Sequence, residues 1–257
     1  MNIRDDVSEV AELGLTLVEA LLDELATPVV ENPQDAVVRR FTVCGLVVLT
    51  QHARGAVEEF RLGRPYSALA LDRCTFEAMI RVIHWNTDQA NAMDEWRALP
   101  IWAAREEHRR AGSMEAAPPG VQRDLRRFLD ANSDLEKIRQ SRFADIAPEI
   151  WRYANELDAE QVRSDLYTHV DVPSVFVHCR PLIAEDIIDA TDPVALVIRS
   201  HSPSAEPNAR VLELVRLLVL TARFLAKRFK CSVDPIDRVC NKWLNVVAEH
   251  ERLLEVN

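Results

Sequence analysis

Apolar residues recur every three or four positions through most of this 257-residue chain. That spacing is typical of amphipathic helices, because it lines up apolar side chains on one face of a 3.6-residue turn. The chain has only 6 glycines, which disfavours folds that depend on glycine turns. It carries neither a dinucleotide-binding G-x-G-x-x-G nor a P-loop motif. The sequence therefore predicts an all-α protein, a single helical domain over residues 1–257.

Capping residues and prolines set the predicted helix bounds. Asn32 precedes Pro33, a capping residue followed by a proline at the first helical position. The segment GSMEAAPPG at 112–120 is the clearest loop. We expect a bundle of about 7–9 helices. The predicted ranges are 3–27, 32–63, 65–86, 90–111, 121–131, 147–156, 158–170, 207–230 and 235–255.

Residues 172–207 break the helical pattern. This stretch carries five prolines and two short β-branched runs, Val175–Val177 and Val194–Ile198. Such runs bounded by turn residues are typical of strands. Two structures remain open for the segment, a small β-hairpin or an irregular arm.

The charge balance limits the partners of the chain. Lys+Arg number 31 and Asp+Glu 41, so the net charge is -10. This disfavours a general nucleic-acid or anionic-membrane binder, although a local basic face over 210–242 stays open. The sequence has no apolar run long enough to span a bilayer, and MNIRDDVSEV does not resemble a signal peptide. We expect a soluble cytoplasmic protein.

Metal and cofactor chemistry have little support in the spacing of possible ligands. The five cysteines form no C-x-x-C pair, so neither a disulfide framework nor a zinc site is predicted. No histidine follows a glutamate by three positions, as di-iron bundles require, and His-Glu-x-x-His is absent. We predict no metal and no cofactor. One alternative is a cluster brought together by folding, from His169, Asp171, His178 and His201.

The third predicted helix holds a polar group beside its apolar stripe. With Arg73 at 0°, Glu77 lies at about 40° and His84 at about 20° around the helix axis. Phe76 and Ile80 lie next to them, at about 300° and 340°. Charges in that position need partners, because an unpaired buried charge is costly. The group is either a structural Arg73–Glu77 pair or half of a polar site that another helix completes.

A second polar motif is RSDLYTH at 163–169. Arg163 and His169 lie on different faces of an ideal helix, so a bend or a partner chain would have to bring them together. A histidine can act as acid or base near neutral pH, and an arginine can stabilise a developing phosphate charge.

These two segments resemble a known family. LDRCTFEAMIRVIHW (71–85) is similar to the Leu-x-Arg-x-x-x-Glu helix of a group of bacterial helical proteins, and SDLYTH (164–169) resembles their later Ser-x-x-x-His motif. Asp165 stands where that motif has its serine. The group is similar to the HEPN superfamily, whose catalytic members are metal-independent endoribonucleases of defence systems. The resemblance implies a homodimer and a catalytic Arg163 and His169, with RNA as a possible partner.

We therefore predict an all-α, HEPN-like bundle in which Arg73, Glu77 and His169 form an internal polar cluster, with His84 and Asp165 nearby. Two function classes stay open. The first is a non-catalytic interaction or sensing protein of the defence or stress type. The second is a metal-independent endoribonuclease.

Overall fold

The computed structural model describes residues 3–27, 32–113, 118–133, 135–138, 142–173, 188–189, 197–198 and 207–256. These residues form nine α-helices and a 3₁₀ turn at Leu135–Lys137, which confirms the predicted all-α bundle. The helices are α1 (Ile3–Ala26), α2 (Pro33–Arg61), α3 (Pro65–Thr87), α4 (Gln89–Ser113), α5 (Pro119–Ala131), α6 (Phe143–Asn155), α7 (Ala159–Leu166), α8 (Pro207–Phe229) and α9 (Asp234–Val256).

Local capping chemistry explains where several helices begin. The Asn32 side chain accepts a hydrogen bond of 2.8 Å from the backbone N–H of Asp35, and Pro33 follows it, as predicted. Asp158 caps α7 by accepting from two backbone N–H groups. The predicted start of α6 at 147 is wrong. The helix begins at Phe143 and contains Pro148.

The core is built around α1, α3 and α8. Helix α1 packs against α2, α8 and α9, while α3 packs against α2, α6 and α8. Helix α4 packs against α2 and α5. Trp151 and Phe76 are among the largest side chains that are fully buried. Burying each of these side chains contributes about 1.5–3 kcal/mol to stability, so the packing of Trp151 on Phe76 helps to fix how α6 and α3 meet.

Glycine allows a close approach between the antiparallel helices α2 and α3. A Cβ atom at Gly45 would lie 2.3 Å from Cγ2 of Val82, closer than any real contact. Further along, a Cβ at Gly55 would lie 3.0 Å from Cδ1 of Leu71. The two helices are therefore in register over several turns, with Gly45 at their tightest point.

Two short strands pair antiparallel in the segment of the chain that connects α7 to α8. Ile188 pairs with Ile198, and Asp189 pairs with Val197. The predicted partner run Val175–Val177 lies outside the described residues, as does most of 172–207.

Candidate functional site

A π-helical turn positions the histidine that the sequence singled out. Helix α7 runs directly into this turn at Tyr167–Asp171. Such turns widen the backbone spiral and occur frequently at functional sites. The carbonyl oxygen of Thr168 accepts a hydrogen bond of 2.8 Å from Nη1 of Arg210 on α8. The turn is thereby fixed to α8, and His169 within it is 0% exposed.

His169 forms a buried pair with Asp72 of α3. Its Nδ1 atom lies 2.9 Å from Oδ2 and 3.1 Å from Oδ1 of the Asp72 carboxylate. The imidazole stacks on the ring of Phe76, with centroids 5.5 Å apart and an interplanar angle of 21°. Asp72 therefore contacts the edge of the imidazole and Phe76 contacts its face, and both residues belong to α3.

The hydrogen bond indicates which nitrogen of the imidazole is the donor. A carboxylate accepts but does not donate when ionised, so Nδ1 of His169 carries the hydrogen. Nε2 is buried and has no hydrogen-bond partner among the described residues. Arg210 places a positive charge near the Asp72 carboxylate. Burial lowers the pKa of the Arg210 guanidinium, and the Asp72 carboxylate opposes that shift. The Asp72–His169 pair is oriented like an acid–base dyad, but Nε2 of His169 is enclosed by protein.

Asp165, one turn before His169, belongs to a second buried network. Its Oδ2 accepts from the indole N–H of Trp151 at 2.8 Å, and its Oδ1 accepts from Gln161 Nε2 at 3.0 Å. Oδ1 also pairs with Arg216 of α8, whose Nε donates to Glu213 at 2.8 Å. Asp165 is therefore a structural link that joins α6, α7 and α8.

Arg163 lies apart from His169. Its side chain is exposed, and its Nε donates to the carbonyl oxygen of Ala159 on the same helix at 3.2 Å. His169 is completely buried. Within one chain the two side chains do not line a common cleft, because Arg163 faces solvent and His169 faces the core.

The predicted cluster of Arg73, Glu77 and His169 is divided in the structure. Arg73 and Glu77 do form an ion pair, with Nε and Oε1 3.0 Å apart, and their side chains are 22% and 38% exposed. The carboxylate that meets His169 is Asp72 instead. One residue along a helix is a rotation of about 100°, which turns Asp72 into the core and Arg73 towards its edge.

Asp72 was missed by the sequence analysis although a signal for it existed. Leu69, Asp72, Phe76, Met79 and Ile83 follow one another at intervals of three and four, and all are buried. Asp72 is the single carboxylate in that apolar repeat. A buried carboxylate needs a partner, so its position indicates a contact from another element.

His84 lies in a third polar group, between α3 and α4. Its Nε2 is 2.9 Å from the amide nitrogen of Asn91, which also donates to Oε1 of Glu95 at 3.2 Å. Trp85 donates its indole N–H to the same carboxylate at 2.9 Å. Burial lowers the pKa of His84, with Glu95 opposing the shift. A neutral His84 accepts the Asn91 hydrogen bond, so the group stabilises the α3–α4 packing.

The described parts of the chain contain no candidate metal centre. No three histidine, cysteine, aspartate or glutamate side chains come together there in a way that could hold a metal ion. Of the alternative metal cluster, His178 and His201 lie outside the described residues. Within the described helices none is long and apolar enough to cross a bilayer.

Comparisons with known proteins give no further guide. No family model, no curated protein and no solved structure matches this chain.

Proposed function

We propose that this chain is a non-catalytic helical protein that acts by interaction or sensing, with His169 as a structural residue. The carrying observation is that His169 is 0% exposed and pairs with a carboxylate that is itself 2% exposed. A general acid or base must come within hydrogen-bonding reach of its substrate. An imidazole enclosed between Phe76 and Asp72 stabilises the junction of α3 and α7.

The alternative is a metal-independent endoribonuclease that uses Arg163 and His169. It requires both side chains to reach one RNA phosphate. The burial of His169 and the exposure of Arg163 favour the non-catalytic proposal. The net charge of -10 also opposes tight RNA binding.

An RNA-cleavage assay in EDTA separates the two functions. We expect the wild-type chain to leave single-stranded RNA intact at low salt. His169→Ala should lower the melting temperature, because it leaves the Asp72 carboxylate buried without its donor. Arg163→Ala is the matched control and should melt like the wild type, since its side chain is exposed. Cleavage in EDTA that both substitutions abolish would overturn the proposal.

We also propose a HEPN-like bundle that forms a homodimer in the cytoplasm. Support for the fold comes from the packing of α3, which carries Arg73 and Glu77, against the turn that carries His169. Support for the dimer comes from the outer face of α2, where Val47 and Val48 are 39% and 44% exposed beside an exposed Cys44.

Sedimentation velocity tests the dimer. We expect a species of twice the chain mass, and Val48→Glu should convert it to monomer by placing a charge in the contact. Val233→Glu, at another exposed apolar residue, is the control and should leave the dimer intact. A wild-type chain that sediments as a monomer at high concentration would refute a homodimer.

A further inference from the structure

A polar groove lies at the end of the bundle, where α3 and α6 terminate beside α8. It comprises a cavity of about 710 Å³ and an adjoining one of about 690 Å³. The two cavities share Thr87, Tyr153 and Glu156 in their walls. Each has the size of a small-molecule site. Asn86, which lines the larger cavity, is 14 residues beyond Asp72 on α3, about 21 Å along the axis, so the groove is separate from the His169 pair.

One wall of the groove is basic. Arg223 and Lys227 project from the same face of α8, four residues apart, and Arg228, which pairs with Asp35 at 3.1 Å, also lines the groove. Arg223 is exposed, and the described residues give it no ion-pair partner. Lys227 lies 4.0 Å from Glu156, with both side chains at least 85% exposed, which is a weak contact. Arg223 and Lys227 are therefore available to an anionic group.

The opposite side is rich in acceptors. Asn86 is 6% exposed, and its amide nitrogen donates to Thr42 Oγ1 and to the Val82 carbonyl, each at 2.8 Å. Its Oδ1 is buried and has no hydrogen-bond partner among the described residues. A buried acceptor left without a donor costs about 1–3 kcal/mol. Asn86 therefore favours a ligand that brings an N–H or O–H group.

The groove also carries negative charge, at the helix ends and in the adjoining cavity. Helices α3 and α6 both end at the groove, so their last carbonyl groups place partial negative charge there. Glu149, Asp88 and Glu156 line the adjoining cavity, together with Arg152. A simple anion would suit α8 but not this side of the groove.

From this polarity we infer that the groove binds a small zwitterion, an amino acid or short peptide recognised by its free ends. Its carboxylate pairs with Arg223 and Lys227, and its ammonium group lies on the acceptor side of the groove, towards Asn86 and the acceptors at the α3 and α6 ends. Tyr153, which is 71% exposed, lies between the two cavities beside the ligand side chain. The inference goes beyond the proposed function and does not depend on the role of His169.

Calorimetric titration of the full chain with the tripeptide alanyl-leucyl-alanine tests this. We expect binding with a Kd near or below about 1 mM, in titrations that reach about 10 mM. The N-acetylated and the C-amidated peptides should each bind at least about tenfold more weakly, because each lacks one charge.

Variants locate the binding in the groove. Arg223→Gln should weaken binding about tenfold or more without changing the melting temperature, since Arg223 is exposed. Arg126→Gln, an exposed arginine on α5, is the matched control and should bind normally. Asn86→Ala should also weaken binding, and its melting curve separates that loss from unfolding.

Three outcomes would overturn the inference. The first is no detectable binding of the free tripeptide by the folded wild-type chain. The second is equal affinity for the free and capped peptides. The third is binding of inorganic phosphate in place of the peptide, which would make α8 an anion site only.

Discussion

Replacing Asp72 with alanine tests the role of the buried pair directly. The Asp72 and His169 side chains are 2% and 0% exposed, and the substitution leaves Nδ1 of His169 without an acceptor beside an already unpartnered Nε2. Asp72→Ala leaves one orphaned N–H group, which costs about 1–3 kcal/mol, whereas a variant that leaves the carboxylate buried alone costs about 3–5 kcal/mol. We expect Asp72→Ala to lose about 1–3 kcal/mol in the free energy of unfolding, or roughly 2–12 °C in melting temperature for a chain of this size.

Urea unfolding followed by circular dichroism at pH 7 measures that loss, and a set of matched variants assigns it. Asp72→Asn keeps the shape and one acceptor oxygen, so it should lose less than Asp72→Ala. His169→Phe keeps the stacking on Phe76 but leaves the carboxylate buried alone, so it should lose more than Asp72→Ala, about 3–5 kcal/mol.

The double variant Asp72→Leu with His169→Phe removes both polar partners. It should recover to within about 1–2 kcal/mol of the wild type, because apolar replacement of a buried pair is often neutral. Two results would refute the reasoning: a loss under about 1 kcal/mol for Asp72→Ala, or single-variant losses that simply add in the double variant.

Three further predictions concern the rest of the bundle. Glu77→Ala should lower the free energy of unfolding by under about 1 kcal/mol, because its ion pair is partly exposed, and urea unfolding checks this. Gly45→Ala should cost about 1–3 kcal/mol by overpacking against buried Val82, whereas Gly55→Ala meets only the end of a flexible leucine and should be tolerated; equal thermal melts for the two would contradict this. Burial lowers the pKa of His84, so the unfolded chain binds a proton at this histidine at a higher pH than the folded chain does. Stability should therefore fall as the pH drops below about 6.5. His84→Gln should remove this part of the pH dependence in acid titrations of the melting temperature.

Local chemistry accounts for the parts of the fold that the sequence predicts well. The periodicity and the caps act within a few residues, so the bounds of α2, α3 and α8 follow from the chain alone, with Asn32 before Pro33 as the clearest case. Helix α6 is the exception. A proline suits a first turn, but packing of Phe143 and Trp151 against Phe76 extends the helix upstream of Pro148.

The candidate site, in contrast, depends mainly on a contact between residues far apart in the sequence. The sequence singled out His169 and the Arg73–Glu77 pair, since those residue types and spacings are visible in one dimension. The partner of His169 is Asp72, 97 residues away, and no local rule connects them. Their contact depends on how α3 packs against the turn after α7, and on the π-helical geometry that directs the imidazole inward.

Burial is the property that tertiary structure alone decides here. Arg163 and His169 look equivalent as members of one motif, yet one is exposed and the other is enclosed by Phe76 and Asp72. Sequence determines which groups could carry a proton or a charge. Only the packing of the helices determines whether water and substrate reach them, because exclusion of solvent requires several elements to close around the same atom.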